Sequence, residues 1–234
     1  MNRISVIIPT YQHAKTLPRV LDSVKAQSRL PNEIIVVDDG STDRTKEVLK
    51  PYMPDITYLY QANQGAPMAR NAGFAESTGD LVIFWDADVV GESCMLESLE
   101  RALNGHPDAS WAYASFFWGK TLFQGKTFDP KALRINNYIH TSSLIRRGDF
   151  PGFDPALKRF QDWDLWLTMS EQGKKGIFVD ERLYRILVET GRPALSTWMP
   201  KMMYNIPWNR LGWMPKRMKD YQASRAVIVT KHHL

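Results

Sequence analysis

The chain has 234 residues, a net charge of +5 and 44% apolar residues, which is typical of one large domain or one domain with a tail. Its single cysteine, Cys94, excludes a disulfide framework and any metal site built from several cysteines, and it favours a reducing, cytoplasmic compartment. No stretch approaches the roughly 18 apolar residues of a membrane span, and we expect no signal peptide.

The charge is unevenly distributed. Residues 191–234 hold eight Lys or Arg and one Asp, a net charge of +7, whereas residues 1–190 hold 22 basic and 24 acidic residues. The basic excess therefore belongs to a tail, and no nucleic-acid-binding motif accompanies it. We expect no nucleic-acid partner.

Strands alternate with helices along the first half. Predicted strands cover residues 3–9, 33–37, 56–60 and 81–85, and predicted helices cover residues 14–27, 42–52, 66–77 and 93–103. This alternation predicts a Rossmann-like α/β fold with a mostly parallel central sheet flanked by helices. In the second half, strands at 111–118, 177–179 and 183–188, a strand or buried turn at 137–147 and a helix at 162–172 predict a mixed, partly antiparallel sheet.

Two carboxylates, Asp86 and Asp88, follow the buried strand at 81–85. Open α/β sheets bind ligands at the carboxyl ends of their strands, and Mg²⁺-like ions use one or two carboxylates there. Alternation along an extended chain would separate the two side chains, so the backbone must turn, and Gly91 suits a turning segment. The alternative is a strand end followed by an acidic helix cap.

Two further strand exits are polar: Pro9-Thr10-Tyr11 and Asp38-Asp39-Gly40-Ser41. A carboxylate can accept a hydrogen bond from a nucleobase N–H, and Tyr11 could stack on the base. No glycine-rich dinucleotide or P-loop motif is present, which disfavours those two classes. A capped turn is the alternative for residues 38–41.

Together these motifs resemble the family-2 glycosyltransferases, which have the GT-A fold. The resemblance covers about residues 3–190 and rests on the order and spacing of several segments: residues 6–11, 35–43, 63–65, 69–73, 86–88 and 161–167. It implies one GT-A domain at 1–190, with a nucleotide-sugar half at about 1–110 and an acceptor half at about 111–190. Residues 191–234 form the basic, Trp- and Met-rich tail.

The resemblance also implies roles on the donor side. Asp39 would contact the nucleobase in a pocket lined by Pro9, Thr10 and Tyr11. Arg70 would lie beside the diphosphate, with a surface arginine as the alternative. Asp86 would lie near the ribose or the water shell of a metal ion. Asp88 would bind that ion directly, and the ion would be Mn²⁺ or Mg²⁺.

On the acceptor side, the resemblance implies that Asp162 is the catalytic base, with an N-cap as the alternative and Asp164 as the reserve candidate. The family usually has Glu before this Asp, whereas this chain has Gln161. Losing a negative neighbour should leave Asp162 more acidic. His140 is either a metal, acceptor or phosphate contact or a packed core histidine. The processive Q-x-x-R-W motif is absent, which favours transfer of a single sugar.

The tail is rich in Trp and Met between basic residues and is interrupted by Pro200, Pro207 and Pro215. This composition suits either peripheral contact with a membrane surface or a flap packed on the domain beside the acceptor. We expect His232 and His233 to lie in a disordered end without a metal.

The resemblance therefore implies a metal-dependent inverting glycosyltransferase of cell-surface polysaccharide or glycolipid synthesis. The donor would be a UDP-sugar, with GDP- or dTDP-sugars as alternatives, and the acceptor a glycan or a lipid-linked molecule, at the inner face of the membrane in the lipid-linked case. Three alternatives stay open: a polyprenyl-phosphate sugar synthase, a catalytically silent nucleotide-sugar-binding module and a sugar-1-phosphate nucleotidyltransferase. Nucleotidyltransferases usually have a glycine-rich basic loop after the first strand, and this chain lacks such a loop there.

Overall fold

The computed structural model describes residues 2–188, 206, 208 and 214–234. Strands β1 to β9 cover Ile4–Thr10, Glu33–Asp39, Thr57–Gln61, Leu81–Phe84, Val89–Gly91, Trp111–Trp118, Thr121–Phe123, Leu144–Arg146 and Gly176–Ile186. Helices α1 to α7 cover Leu17–Lys25, Thr45–Leu49, Ala66–Glu76, Met95–Gly105, Pro130–Ile135, Gln161–Glu171 and Lys216–Lys231. Among these residues, no helix is both long enough and apolar enough to cross a membrane.

The strands form one sheet in the order β3-β2-β1-β4-β8-β6-β9-β5, with β7 beside β6. The first four neighbours, β3, β2, β1 and β4, run parallel. Strand β8 pairs antiparallel with both β4 and β6, and β5 pairs antiparallel with β9. The α/β fold with a parallel half and a mixed half is therefore confirmed.

The largest differences from the predicted elements lie in the second half. The two late strands are one strand, β9, whose register against β6 shifts between Ala114 and Phe116. Residues 137–143 form no strand, and only Leu144–Arg146 joins the sheet as β8. The short elements β5, β7 and α5 were not predicted, because three to six residues carry too little periodicity to be recognised.

Pro9 does not end β1 as expected, because the strand continues to Thr10 and pairs with β2 as far as Asp38. The Ile7 carbonyl accepts a hydrogen bond from the Trp85 N–H on the β4 side. Pro9 lies two residues after Ile7, so its backbone nitrogen also points to the β4 side, but there it lies beyond the last residue of β4. Its missing N–H therefore removes no hydrogen bond from the sheet.

Helices cover both faces of the sheet. Apolar residues of α1 and α4 pack on one face, and those of α6 pack on the other face together with Ile228 of α7. Helix α3 lies against β1 and β2 so closely that a Cβ on Gly73 would meet the Ile7 side chain at 2.4 Å. This close packing fixes the position of the α3 side chains above the carboxyl edge.

The described end of the tail is helical and packs on the domain. Residues 216–231 form the 16-residue helix α7, and Trp208 packs with Met218 in a small cluster. His232 is 3% exposed, so the expected disordered end is wrong. The Trp- and Met-rich segment at residues 194–205 lies outside the described residues.

Candidate active site

The backbone turns directly after β4. The Val89 N–H donates to the Asp86 carbonyl at 2.9 Å, and the Trp85 indole donates to the Val89 carbonyl at 2.8 Å. The Thr16 hydroxyl holds the middle of the turn by donating to the Ala87 carbonyl. The backbone turn that Asp86 and Asp88 need in order to serve one site is therefore present. Gly91 lies outside the turn, in β5, where a Cβ would meet the Trp85 ring at 2.6 Å.

Arg70 joins the Asp86 turn to helix α6. One guanidinium nitrogen donates to the Asp86 carboxylate at 2.7 Å, and the other terminal nitrogen donates to the Gln161 amide oxygen at 2.7 Å. The guanidinium lies over the Phe153 ring, 5.1 Å from its centroid. Arg70 is only 7% exposed, and its buried Nε has no hydrogen-bond partner among the described residues. Arg70 is therefore a buried bridge between β4 and α6, not a surface arginine.

His140 faces the other oxygen of Asp86. The Ser142 N–H donates to His140 Nδ1, which leaves Nε2 toward Asp86 Oδ2 at 3.7 Å. Burial lowers the pKa of His140, and the nearby Arg70 charge lowers it further against the opposing effect of Asp86. Burial opposes the ionisation of Asp86, but Arg70 and His140 together hold its pKa below the usual value. The carboxylate is therefore ionised next to a largely neutral imidazole at neutral pH.

Asp162 lies in the first turn of α6, next to Gln161. Its two oxygens accept hydrogen bonds from the Asn137 side chain at 2.7 Å and from the Trp163 N–H at 2.9 Å. Burial raises the pKa of Asp162 to about 6, although the hydrogen bond from the Trp163 N–H and the Arg70 charge oppose the shift. The carboxyl group therefore titrates close to neutral pH, where a proton acceptor is most effective. The effect of Gln161 in place of the usual Glu on this pKa stays a prediction, because burial is the largest cause of the shift seen here.

Asp39 is buried and organises the loop that leads into α3. Its carboxylate accepts hydrogen bonds from the Gln61 side chain and from the backbone N–H groups of Gln64 and Gly65, all within 2.8 Å. Only Oδ2, which accepts a single bond, keeps a lone pair in this network for a ligand N–H. Asp39 therefore connects the end of β2 to the helix that carries Arg70.

The exit of β1 is fixed by a residue that the sequence analysis missed. Gln12 has a left-handed φ of 59°, and its side-chain oxygen accepts from the backbone N–H groups of Thr42 and Asp43. This joins the loops after β1 and β2. Beside it, Tyr11 is 43% exposed, whereas Pro9 and Thr10 are buried. The exposed Tyr11 ring therefore sits on a rigid strand end.

The Asp164 side chain contacts the end of the tail and not Arg70, Asp86 or His140. Its buried carboxylate meets the Lys231 ammonium at 2.8 Å and His232 Nε2 at 2.8 Å, both from the end of the tail. The structure thus brings Arg70, Asp86, His140 and Asp162 together and directs Asp164 toward α7. Asn137, which holds Asp162, was also missed, because a single asparagine in a loop carries no sequence signal.

A family model for glycosyl transferase family 2 matches residues 5–153. The chain belongs to glycosyl transferase family 2. An uncharacterized glycosyltransferase of Nostoc sp. is 46% identical over 101 residues, which cover 42% of this chain and 31% of that protein. A PGL/p-HBAD biosynthesis glycosyltransferase of Mycobacterium tuberculosis is 31% identical over 170 residues, covering 68% of this chain and 66% of the relative. The chain thus spans about one third to two thirds of these family-2 relatives.

Solved structures show the same fold. S. aureus TarS 1-349 in complex with UDP-GlcNAc superposes with a TM-score of 0.68 at 19% identity, covering 84% of this chain and 62% of that one. The mannosyltransferase PcManGT of Pyrobaculum calidifontis, in complex with GDP-Man and Mn²⁺, gives a TM-score of 0.64 at 20% identity over 81% and 58% of the two chains. This family-2 chain therefore has the GT-A glycosyltransferase fold.

Proposed function

We propose that this chain transfers a single sugar from a nucleotide diphosphate sugar to an acceptor hydroxyl, with inversion at the anomeric carbon. The observation that carries the proposal is the placement of Asp162, a carboxyl with a raised pKa, next to Gln161, which bonds Arg70, and within electrostatic reach of Arg70 and Asp86. A cation that can face phosphate thus lies beside a group that can accept a proton.

The donor would bind at the carboxyl edge of the parallel strands. We place its nucleobase between the exposed Tyr11 ring and the remaining acceptor position of Asp39, with Pro9 and Thr10 as the pocket floor. Arg70, whose planar guanidinium suits phosphate oxygens, would face the diphosphate. The bound donors of two fold neighbours are UDP-GlcNAc and GDP-Man, so UDP- and GDP-sugars are the first to test, followed by dTDP-sugars.

A divalent cation, Mn²⁺ or Mg²⁺, fits the residues at the Asp86 turn. Both aspartates offer hard oxygen donors there, and Asp86 keeps its pKa low enough to be ionised. Among the described residues, no group of three or more ligating side chains occurs, so the protein would supply Asp88, with Asp86 nearby, and the donor phosphates and water would complete the shell. When bound, the ion would neutralise charge on the leaving diphosphate.

The residues of the chain would divide the remaining chemistry. The acceptor oxygen forms a bond to the anomeric carbon while the bond from that carbon to the diphosphate oxygen breaks. Asp162 takes the acceptor proton, and Arg70 stabilises the charge that develops on the leaving nucleoside diphosphate. Because one displacement occurs from the face opposite the leaving group, the configuration inverts. His140 would fix the second oxygen of Asp86 rather than touch the acceptor.

The experiment is a panel of UDP-, GDP- and dTDP-sugars, each with and without Mn²⁺. Thermal stabilisation by one donor would identify it by mass action, and release of nucleoside diphosphate in the presence of acceptor would establish turnover. Binding without turnover for any acceptor would instead favour a silent nucleotide-sugar-binding module. The absence of any metal-dependent shift would contradict the proposed site.

We also propose that the acceptor is lipid-linked, and that the basic tail meets anionic lipid at the cytoplasmic face of a membrane. The first turn of α7 exposes Lys216, Arg217 and Lys219, which supports electrostatic attraction to such a surface. Co-sedimentation with phosphatidylglycerol vesicles should fall when these three become Glu. Changing the exposed Lys15, Lys46 and Lys50 to Glu is the charge-matched control. Equal loss in both variants would contradict a specific role of the tail.

A further inference from the structure

Helix α7 packs against the first turns of α6, the helix that carries Asp162. Ile228 of α7 is fully buried in the core beneath α6. Nearer the start of α7, the Tyr221 ring meets Phe160 edge-on at 5.4 Å. The Arg225 guanidinium lies 5.7 Å from the centre of the Trp163 ring. The described end of the tail therefore touches the residues on both sides of Asp162.

The end of α7 adds a buried polar cluster to this contact. His232 Nε2 lies 2.8 Å from Asp164, and His232 Nδ1 lies 3.0 Å from Glu171. Lys231 bridges Asp164 and Asp154, at 2.8 and 2.7 Å. The Asp164 carboxylate is therefore enclosed by two side chains of the tail, two residues after Asp162.

The first turn of α6 has little stabilisation of its own. Its N-cap is Phe160, a non-glycine residue with a left-handed φ of 60° and no side-chain cap hydrogen bond. Such a backbone conformation persists only where surrounding structure holds it in place. The Trp163 N–H in this turn is bonded by the carboxylate of Asp162 itself. The contacts from Tyr221, Arg225 and His232 add to the hydrogen bonds from Arg70 and Asn137 in holding this turn.

We propose that His232 is a positioning residue for Asp162, acting through Asp164, and that α7 is the brace that holds the turn of the base. This inference rests on the proposed function, since it assigns the tail to that same site. A small displacement of a reacting group is enough to reduce turnover strongly without changing how the donor binds. The tail would thus set the rate of the chemical step, independently of any contact with lipid.

Two substitutions of His232 separate its two hydrogen bonds. The Gln side chain places its NH₂ group near the position of Nε2, so His232→Gln keeps the donor to Asp164. The Asn side chain places its NH₂ group near Nδ1, so His232→Asn keeps only the contact to the half-exposed Glu171. Gln222→Ala, on the exposed side of α7, is the matched control for changes in the helix itself.

We expect His232→Asn to lower kcat by about tenfold to a hundredfold with an unchanged dissociation constant for the donor, because misplacement by 1 Å has effects of this size. His232→Gln and Gln222→Ala should keep kcat within about twofold of the wild type. Equal kcat in the Asn and Gln variants, or a loss of donor binding parallel to the loss of kcat, would overturn the proposal.

Hydrogen exchange gives a readout that does not need a substrate. The peptide that spans residues 158–170 should exchange faster in His232→Asn than in His232→Gln, while peptides of β1 and β2 stay unchanged. If the wild type releases no nucleoside diphosphate from any donor, the proposed function fails, but this exchange difference still tests the brace. Identical exchange in all variants would contradict it.

Discussion

The guanidinium of Arg70 and the carboxylate of Asp86 lie 2.7 Å apart, and the other terminal nitrogen of Arg70 bonds to a neutral amide, that of Gln161. Arg70 therefore has one carboxylate partner in its hydrogen-bond network, and its second bond goes to a group without charge. This arrangement joins the turn after β4 to α6, and in the proposed function the same guanidinium would face a phosphate.

Removing Arg70 tests this bridge. Arg70→Ala leaves the poorly exposed Asp86 carboxylate without its partner, and such a loss costs about 3–5 kcal/mol of unfolding free energy. Urea unfolding at pH 7.5 measures it, and titration calorimetry should show weaker donor binding. Arg44→Ala, which breaks an exposed pair with Glu47, is the control and should show no comparable loss. Equal stability of the two variants would contradict the bridge.

Restoring the acidic neighbour of Asp162 tests its electrostatics. In Gln161→Glu a second carboxylate lies beside Asp162, which disfavours ionisation and should raise the pKa of Asp162 above about 6. The acidic limb of the kcat/KM profile against pH should therefore move to higher pH, and activity at pH 6 should fall. A limb that stays in place would mean that Asp162 is not the group that titrates.

The raised pKa of Asp162 also predicts a cost to stability. The folded protein binds this proton more tightly than the unfolded chain, so the stabilising effect is complete below about pH 4 and is lost as the pH rises through about 6. Between about pH 4 and 7.5 the wild type should lose on the order of 2 kcal/mol relative to Asp162→Asn. Chemical denaturation across this range measures it. A constant difference between the two proteins would contradict the raised pKa.

The close packing of α3 against β1 and β2 is tested by a pair of glycine substitutions. In Gly73→Ala the new methyl group would meet Ile7 at 2.4 Å and Val37 at 3.0 Å, so overpacking should cost about 1–3 kcal/mol. Gly105→Ala adds a methyl group in open space at the end of α4 and is the control. Because α3 carries Arg70, only Gly73→Ala should also weaken donor binding. Equal thermal midpoints would contradict close packing at this position.

The sequence predicted the parallel half of the fold because each buried strand there, such as Ile35–Val37, is followed at once by polar residues and a helix. It also predicted that the strand exits with Tyr11, Asp39 and Asp86 would share one edge of the sheet, whereas Arg70 was assigned only through the family resemblance. The hydrogen bond between Arg70 and Gln161 and the pairing of Asn137 with Asp162 were not predictable, since they join residues far apart in the chain whose loops have no periodicity.

The position of the tail was likewise not predictable from local sequence. Its Trp, Met and Lys content was compatible with a membrane or a flap, and only the contacts of Ile228 and His232 place its final helix on α6. His232 was expected in a disordered end because nothing local marks a terminal histidine as buried. Its partners, Asp164 and Glu171, lie more than 60 positions earlier.

In the proposed glycosyl transfer, Asp162 accepts the proton of the acceptor hydroxyl. This role of Asp162 is tested most directly by single-turnover release of nucleoside diphosphate from the donor identified by thermal shift, in the wild type and in Asp162→Asn. We predict that the variant binds the donor with an unchanged dissociation constant and turns over about 10² to 10⁴ times more slowly. Turnover in Asp162→Asn within a few-fold of the wild type would contradict the claim.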